Sequence, residues 1–337
     1  MSKQPSYERI NYRLRIAKSI ERKMIIESAR RLATFSHLVD YSYVGFGSLY
    51  FADFVVFHRL LGISDMTSIE KEERDQERFL FNRPFGCVKI EFGDSNSVLP
   101  LLPWKKRTIV WLDYDGHLDE EALQDIRILV TSLPSGSLLL CSVNCHPDKQ
   151  PERNDSSPAD SAKISLRDYR HNRLATRLNK ERIPAEFRNS NLGNWNLAGL
   201  YYRLITDQIQ ACIQDRNASS DPATKVGFHQ ILRFHYEDGA KMLTVGGLLV
   251  ADQELPLFDK CNFENLEFIR RGRLDESAYE IANPCLTPKE IKLLDTYLPL
   301  GDGRSLSNDA LKMLPSEACQ RYSEIYKYYP LLAETDL

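Results

Sequence analysis

Four short stretches between residues 40 and 116 combine side chains and backbone suited to a nucleotide-type ligand. The first is a glycine turn, Tyr43-Val44-Gly45-Phe46-Gly47-Ser48. Gly45 and Gly47 place no side chain between backbone and ligand, so the turn can approach closely. A helix beginning at about Tyr50 would present its amide end to a negative group such as a carboxylate. The second stretch is the acidic strand end Met66-Thr67-Ser68-Ile69-Glu70, with Lys71 next. A carboxylate at that tip accepts hydrogen bonds from ribose hydroxyls. The third is Ile90-Glu91-Phe92-Gly93-Asp94, followed by Ser95, where a short acid can reach an adenine amino group. The fourth, Thr108-Ile109-Val110-Trp111-Leu112-Asp113-Tyr114-Asp115-Gly116, ends an apolar run on two acids. Asp113 and Asp115 are thereby placed at the carboxyl edge of a sheet, where ligands bind in open α/β folds.

The elements that must hold these residues read as alternating strands and helices. Apolar runs over 41–44, 66–69, 87–92, 108–112 and 138–143 predict strands. Helices are expected over 50–61, 71–81, 96–102 and 118–132, with Gly62 closing the first. That rhythm predicts a parallel, doubly wound sheet. A polar insertion of about 145–194 interrupts it, with a loop at 154–158 and a basic helix near 165–179. Such an insertion at the carboxyl edge shapes a substrate pocket or forms a surface excursion. A core helix over 195–213 follows, then strands over 226–235 and 241–250 joined by Glu237-Asp238-Gly239-Ala240, a hairpin signal.

The series resembles the class I S-adenosylmethionine-dependent methyltransferases, and within them the small-molecule O-methyltransferases. The resemblance rests on the glycine turn, the Ser68-Ile69-Glu70 strand end, the Gly93-Asp94 turn running to Leu99-Pro100-Leu101, and the acidic end of the fourth strand. It covers roughly 40–251. It implies a Rossmann-like doubly wound sheet ending in an antiparallel hairpin, with S-adenosylmethionine as cofactor. It also implies that Gly45 and Gly47 line the cofactor, Glu70 holds the ribose and Asp94 meets the adenine. Tyr43, Phe46, Ser48, Lys71, Ser95 and Asp113 complete the expected cofactor-binding set. Tyr43 stands where the family usually has an acid, and Leu49 where it has a third glycine.

Methyl transfer from a sulfonium needs an aligned acceptor and often a base or metal to deprotonate it. Asp113 is the expected catalytic residue and Asp115 the next choice. In metal-using relatives the strand-four acid is joined by an Asp-Asn pair after strand five; here that region reads Ser142-Val143-Asn144, an incomplete set, so no metal is expected. Cys141, Cys145 and His146 lie close in sequence, but 138–143 reads as a buried strand. An Asn-Pro-Pro-Tyr sequence is absent after strand four, which counts against adenine-N6 or cytosine-N4 methylation. Two other readings stay open at this point. One is a relative that keeps the fold as a binding or partner module, which Tyr43 and Leu49 would suit. The other is a dehydrogenase, against which the hairpin finish and the missing third glycine count.

The whole chain sets outer limits. Its 337 residues suffice for one large α/β domain with additions, expected as a helical region over 1–39, the core over 40–251 and a helical extension over 252–337. A net charge of −3 gives no support to nucleic-acid binding. The charged N-terminus lacks an apolar leader, and no apolar run is long enough to span a membrane. Seven scattered cysteines outside any C-x-x-C pair suit a reducing cytoplasm. Residues 8–34 predict an amphipathic helix over the sheet edge, with Ile16, Ile20 and Met24 inward and a basic remainder either in water or against a phosphate-bearing substrate. At the other end, Thr287 and Pro288 predict a helix start, and the extension is expected as a cap or protein-docking surface.

Overall fold

The computed structural model describes residues 15–72, 74–150, 164–218, 221, 224–273, 276–300, 306–307 and 309–330. The start of the predicted N-terminal helix (8–14) and the loop at 154–158 lie outside them. The described residues form an eight-stranded sheet in the order β3-β2-β1-β4-β5-β7-β6-β8. β1 (Ser42–Gly45), β2 (Asp65–Glu70), β3 (Val88–Phe92), β4 (Thr108–Asp113) and β5 (Ser137–Asn144) are parallel. β6 (Val226–Glu237) and β7 (Lys241–Ala251) are the expected hairpin, and β7 pairs antiparallel with β5. Gly239 supplies the left-handed turn residue, at φ 80°.

Local chemistry explains the helices. α1 (Ile16–Arg30) precedes β1, and α2 (Ala52–Leu61) follows it. Gly62, at φ 73°, ends α2 with its N–H donating to the His58 carbonyl at 2.9 Å. α3 (Gln76–Asn82) begins five residues later than the spacing predicts, whereas α4 (Ser95–Val98) forms as expected at the Gly93-Asp94 turn. α5 (Glu120–Ser132) starts where Asp119 accepts from the Ala122 amide at 2.9 Å, two residues beyond the predicted start. The insertion contributes α6 (Leu166–Ala175), and α7 (Asn196–Asn217) is the long core helix.

Strand alternation divides the core into two layers. Ile109, Trp111 and Leu140 pack with Ile20, Met24, Phe54 and Phe57 on the α1/α2 side. Val110, Leu112 and Leu139 pack with Leu123, Ile126, Leu200 and Ile205 on the α5/α7 side. β4 is therefore buried on both faces up to Asp113, which fixes that residue at the carboxyl edge. No described helix is long and apolar enough to cross a membrane.

The C-terminal part differs from the helical extension read from sequence. α8 (Leu255–Lys260) and the strand β8 (Tyr279–Ile281) belong to the sheet's own core: β8 pairs parallel with β6, and Phe258, Phe263, Phe268 and Ile281 join the α1/α2 layer. β8 has only three residues, too short to show an alternating pattern. α9 (Pro288–Asp295) starts on the predicted Thr287 cap with a full capping box, and α10 (Ser316–Ile325) packs beside it in a small separate cluster.

Candidate active site

The glycine turn leaves β1 and meets the tip of β2. The Gly47 amide donates to Ser68 Oγ at 2.9 Å and to Glu70 Oε1 at 3.0 Å, and Ser68 Oγ donates to the same Glu70 oxygen at 2.7 Å. Burial pushes the Glu70 carboxyl up to about 7, against hydrogen bonds from Ser68 and the Gly47 and Ser48 amides that favour the ionised form. Ser48 Oγ is buried with no hydrogen-bond partner among the described residues. The turn thus brings a buried carboxylate and a buried hydroxyl without a partner among the described residues to one short stretch of backbone.

The glycines have an internal reason as well. A Cβ on Gly47 would lie 2.5 Å from Phe51 Cδ1 and 2.6 Å from Ser68 Oγ. One on Gly45 would lie 3.0 Å from both the Trp111 carbonyl oxygen and the Tyr43 hydroxyl. Packing inside the protein alone therefore demands glycine at 47. Tyr43 needs correction as a ligand-lining residue: it is 1% exposed, stacked on Phe57 with centroids 4.4 Å apart, and it supports the turn from the core.

The third stretch lies on the surface of the same edge. Asp94 is exposed and receives the Lys71 ammonium at 2.7 Å, an ion pair linking the tip of β2 to the turn after β3. Ser95 turns away from that pair and donates to Asp125 of α5. The Tyr114 hydroxyl donates to the same carboxylate at 2.6 Å, and Asn96 donates to it as well. Asp125 is fully buried, and burial raises its carboxyl above the ordinary value. It ties the turns after β3 and β4 to one helix. Phe46 meets Tyr114 edge-on at 5.2 Å, so two half-buried rings flank this part of the edge.

The two acids of the fourth stretch part company. Asp115 is exposed in the turn beyond β4. Asp113 continues the Ile109-Trp111 face and points under α1, where Lys18 Nζ lies 2.6 Å from its Oδ1. Lys18 also reaches Glu21 at 2.8 Å and the Tyr236 hydroxyl at 3.1 Å, and stands 4.4 Å above the Trp111 ring. Glu21 accepts from Thr244; Thr244 bonds Ser142 at 2.7 Å; Ser142 accepts from the Trp111 indole at 2.9 Å. Arg22 pairs with Asp53 of α2 alongside. Burial pushes Asp113 up to about 6, opposed by Lys18 and reinforced by Glu21 and Asp53. Burial works against the Lys18 ammonium, but Asp113, Glu21 and Asp53 outweigh it and hold the group above the ordinary lysine value.

This network departs, for part of the helix, from the expected basic face in water or against a phosphate-bearing substrate: Lys18 and Arg22 turn inward, while Arg30 is exposed. Lys18, Glu21 and Arg22 are all buried. Their spacing of three and four residues, in line with Ile25 and Ser28, is the signal that they share an inward stripe. Tyr236 and Thr244 join from the hairpin, too distant in sequence to be foreseen. Ser142 is committed to Trp111 and Thr244, and Asn144 Oδ1 accepts from the His146 amide at 2.8 Å. Cys141 and Cys145 sit in the apolar α5/α7 layer. A cleft of about 870 Å³ lies elsewhere, between α1 and the C-terminal helices.

A family model described as "Putative O-methyltransferase" matches residues 10–337. No curated protein matches the sequence. Among solved structures, human N-acetylserotonin methyltransferase in complex with SAM is 12% identical, with a TM-score of 0.34, over 70% of this chain and 56% of its own. An O-methyltransferase family protein from Burkholderia thailandensis is 14% identical, TM-score 0.34, over 68% and 57%. An S-adenosylmethionine-dependent methyltransferase structure from Listeria monocytogenes is 10% identical, TM-score 0.39, over 67% and 98%. The chain spans little more than half the length of the first of these.

Proposed function

Because the chain belongs to this O-methyltransferase family, we propose that it transfers a methyl group from S-adenosylmethionine to a hydroxyl oxygen of its acceptor. The cofactor supplies an activated methyl group on a sulfonium. Glu70, Ser48 and the amides of the glycine turn would hold its ribose side, and Asp94, Ser95, Phe46 and Tyr114 the side of its base. Asp113 is assigned as the residue that takes the acceptor's proton, or orients its hydroxyl, at the carboxyl end of β4. Asp115 is the second choice, because it is exposed while Asp113 is enclosed.

The observation that carries this reading is the contact between Lys18 and Asp113 beside the glycine turn, at 2.6 Å. An ammonium against a buried carboxylate keeps it ionised near neutral pH, as a general base must be. The same contact gives a second reading some support: an Asp113 held by Lys18 also suits a family member that retains the fold as a binding module. Labelled-methyl transfer in the presence of acceptor separates the two, since only the first reading gives a labelled product. The seven free cysteines support a cytoplasmic location.

A further inference from the structure

A second site lies on the opposite face of the sheet from Lys18, between α7, β6 and the loop that follows α8. It is a cleft of about 330 Å³ whose lining includes Arg203, Arg233, Arg271 and Arg273, together with Tyr202 and Thr206. Two of the four guanidinium groups have carboxylate partners: Arg203 pairs with Asp207 at 2.9 Å and Arg271 with Glu264 at 3.3 Å. The other two have none among the described residues. Arg233 lies 3.8 Å above the Tyr202 ring and donates from Nη1 to the Glu276 carbonyl at 3.2 Å. Its Nε is buried without a hydrogen-bond partner. The Glu276 carboxylate accepts from the Gly272 amide at 2.7 Å, which shapes the loop carrying Arg271 and Arg273.

A half-buried cation with an unmet donor and no paired carboxylate is costly to keep. In support, burial lowers the Arg233 guanidinium below its ordinary value. Arginine's planar fork suits a tetrahedral oxyanion, and the ring beneath Arg233 holds that fork in one plane. Arg271 and Arg273 come from a separate loop and Arg203 from a helix, so donors from three elements line the one cleft, with the Asp207 carboxylate among them. We propose that this cleft is a binding site for a phosphate group, carried by a small phosphorylated metabolite. Its position away from Asp113, across β5, β7 and β6, separates it from the methyl-transfer edge.

Calorimetric titration of the full chain with phenyl phosphate, inorganic phosphate and phenol, at fixed ionic strength, tests the site. Phenyl phosphate is expected to bind saturably to one site, and phenol not at all. Inorganic phosphate binding as tightly as the ester would make free phosphate the natural occupant of the same site; weaker binding would favour an ester. Arg273→Gln changes a side chain on the exposed loop and is expected to weaken the ester by at least about tenfold, the worth of one charge-assisted hydrogen bond. Arg233→Lys keeps the charge, loses the fork and is expected to weaken it likewise. If Arg233→Lys does not fold, Arg273→Gln decides alone. The proposal is overturned if neither phosphate nor its ester saturates, if phenol binds as well as the ester, or if Arg273→Gln binds as the wild type does.

Discussion

Lys18 Nζ lies 2.6 Å from Asp113 Oδ1, joining the first turn of α1 to the last residue of β4 across 95 positions of sequence. The pair is enclosed, Lys18 being 3% and the Asp113 side chain 17% exposed. In such a setting the loss of one partner leaves a buried charge uncompensated. Lys18→Met is therefore expected to cost about 3–5 kcal/mol of stability at pH 8, read by chemical denaturation. The loss should shrink toward pH 5, where Asp113 takes up a proton. A loss unchanged between the two pH values would mean that Lys18 stabilises by packing on Trp111 instead.

The acid limb of activity follows from the same pair. Asp113 titrates at about 6, so turnover should fall as pH drops through that value. Lys18 is the group that pulls Asp113 down, and Lys18→Met should move the limb upward; Lys18→Arg should restore most of it. A limb that stays in place in Lys18→Met would assign it to another group.

Stability should carry the mark of two raised carboxyls. Glu70 sits at about 7 in the folded chain against an ordinary value of 4.5, and Asp113 at about 6 against 3.8. In each case the folded state holds the proton more tightly than the unfolded state. The contribution is present at low pH and is lost as pH rises through the folded value. Between about pH 4 and 7 these two groups therefore lower stability as pH increases. Denaturation curves of Glu70→Gln and Asp113→Asn, compared with wild type across that range, should show flatter profiles. Parallel profiles would contradict both shifts.

At the cofactor side, Glu70→Ala is expected to weaken S-adenosylmethionine by ~1.5–3 kcal/mol, the worth of charge-assisted hydrogen bonds to a buried carboxylate. Because Glu70 also holds the Gly47 amide, Glu70→Gln is the necessary companion: it keeps an acceptor for the turn and removes the charge. Calorimetric affinities equal to wild type in both variants would move the ribose site elsewhere.

Gly47→Ala is expected to destabilise the protein by ~1–3 kcal/mol without any ligand, as overpacking does. The new methyl would press on Phe51 and Ser68. A melting temperature equal to wild type would show that the turn yields, and would return Gly47 to a role in ligand approach alone.

The sheet was legible because its signals are local. Apolar runs, Gly62, the Asp238-Gly239 turn and Thr287 each dictate structure within a few residues. The edge acids were legible for the same reason, since a strand that ends on Asp113 shows where the sheet ends. The partners of those acids were not. Lys18 meets Asp113, Tyr236 and, through Glu21, Thr244 only after α1 has crossed the sheet, and no short-range pattern encodes that meeting. The position of Tyr43 next to the glycine turn says nothing of the Phe54 and Phe57 rings that enclose it. Asp125 carries no such signal: an acid in the middle of a helix reads as solvated, and only the fold brings Ser95, Asn96 and Tyr114 onto it.

The central claim is that Asp113 serves methyl transfer to oxygen. The direct measurement incubates wild type and Asp113→Asn with methyl-labelled S-adenosylmethionine and an extract of hydroxyl-bearing small metabolites, and counts label in products, with cofactor affinity measured in parallel. The account predicts labelled ether or ester product with the wild type. It predicts a fall of ~10²–10⁴ in rate with Asp113→Asn, the range for loss of a general base, at unchanged cofactor affinity. Cofactor binding without any transfer by the wild type, or equal transfer by Asp113→Asn, would contradict it.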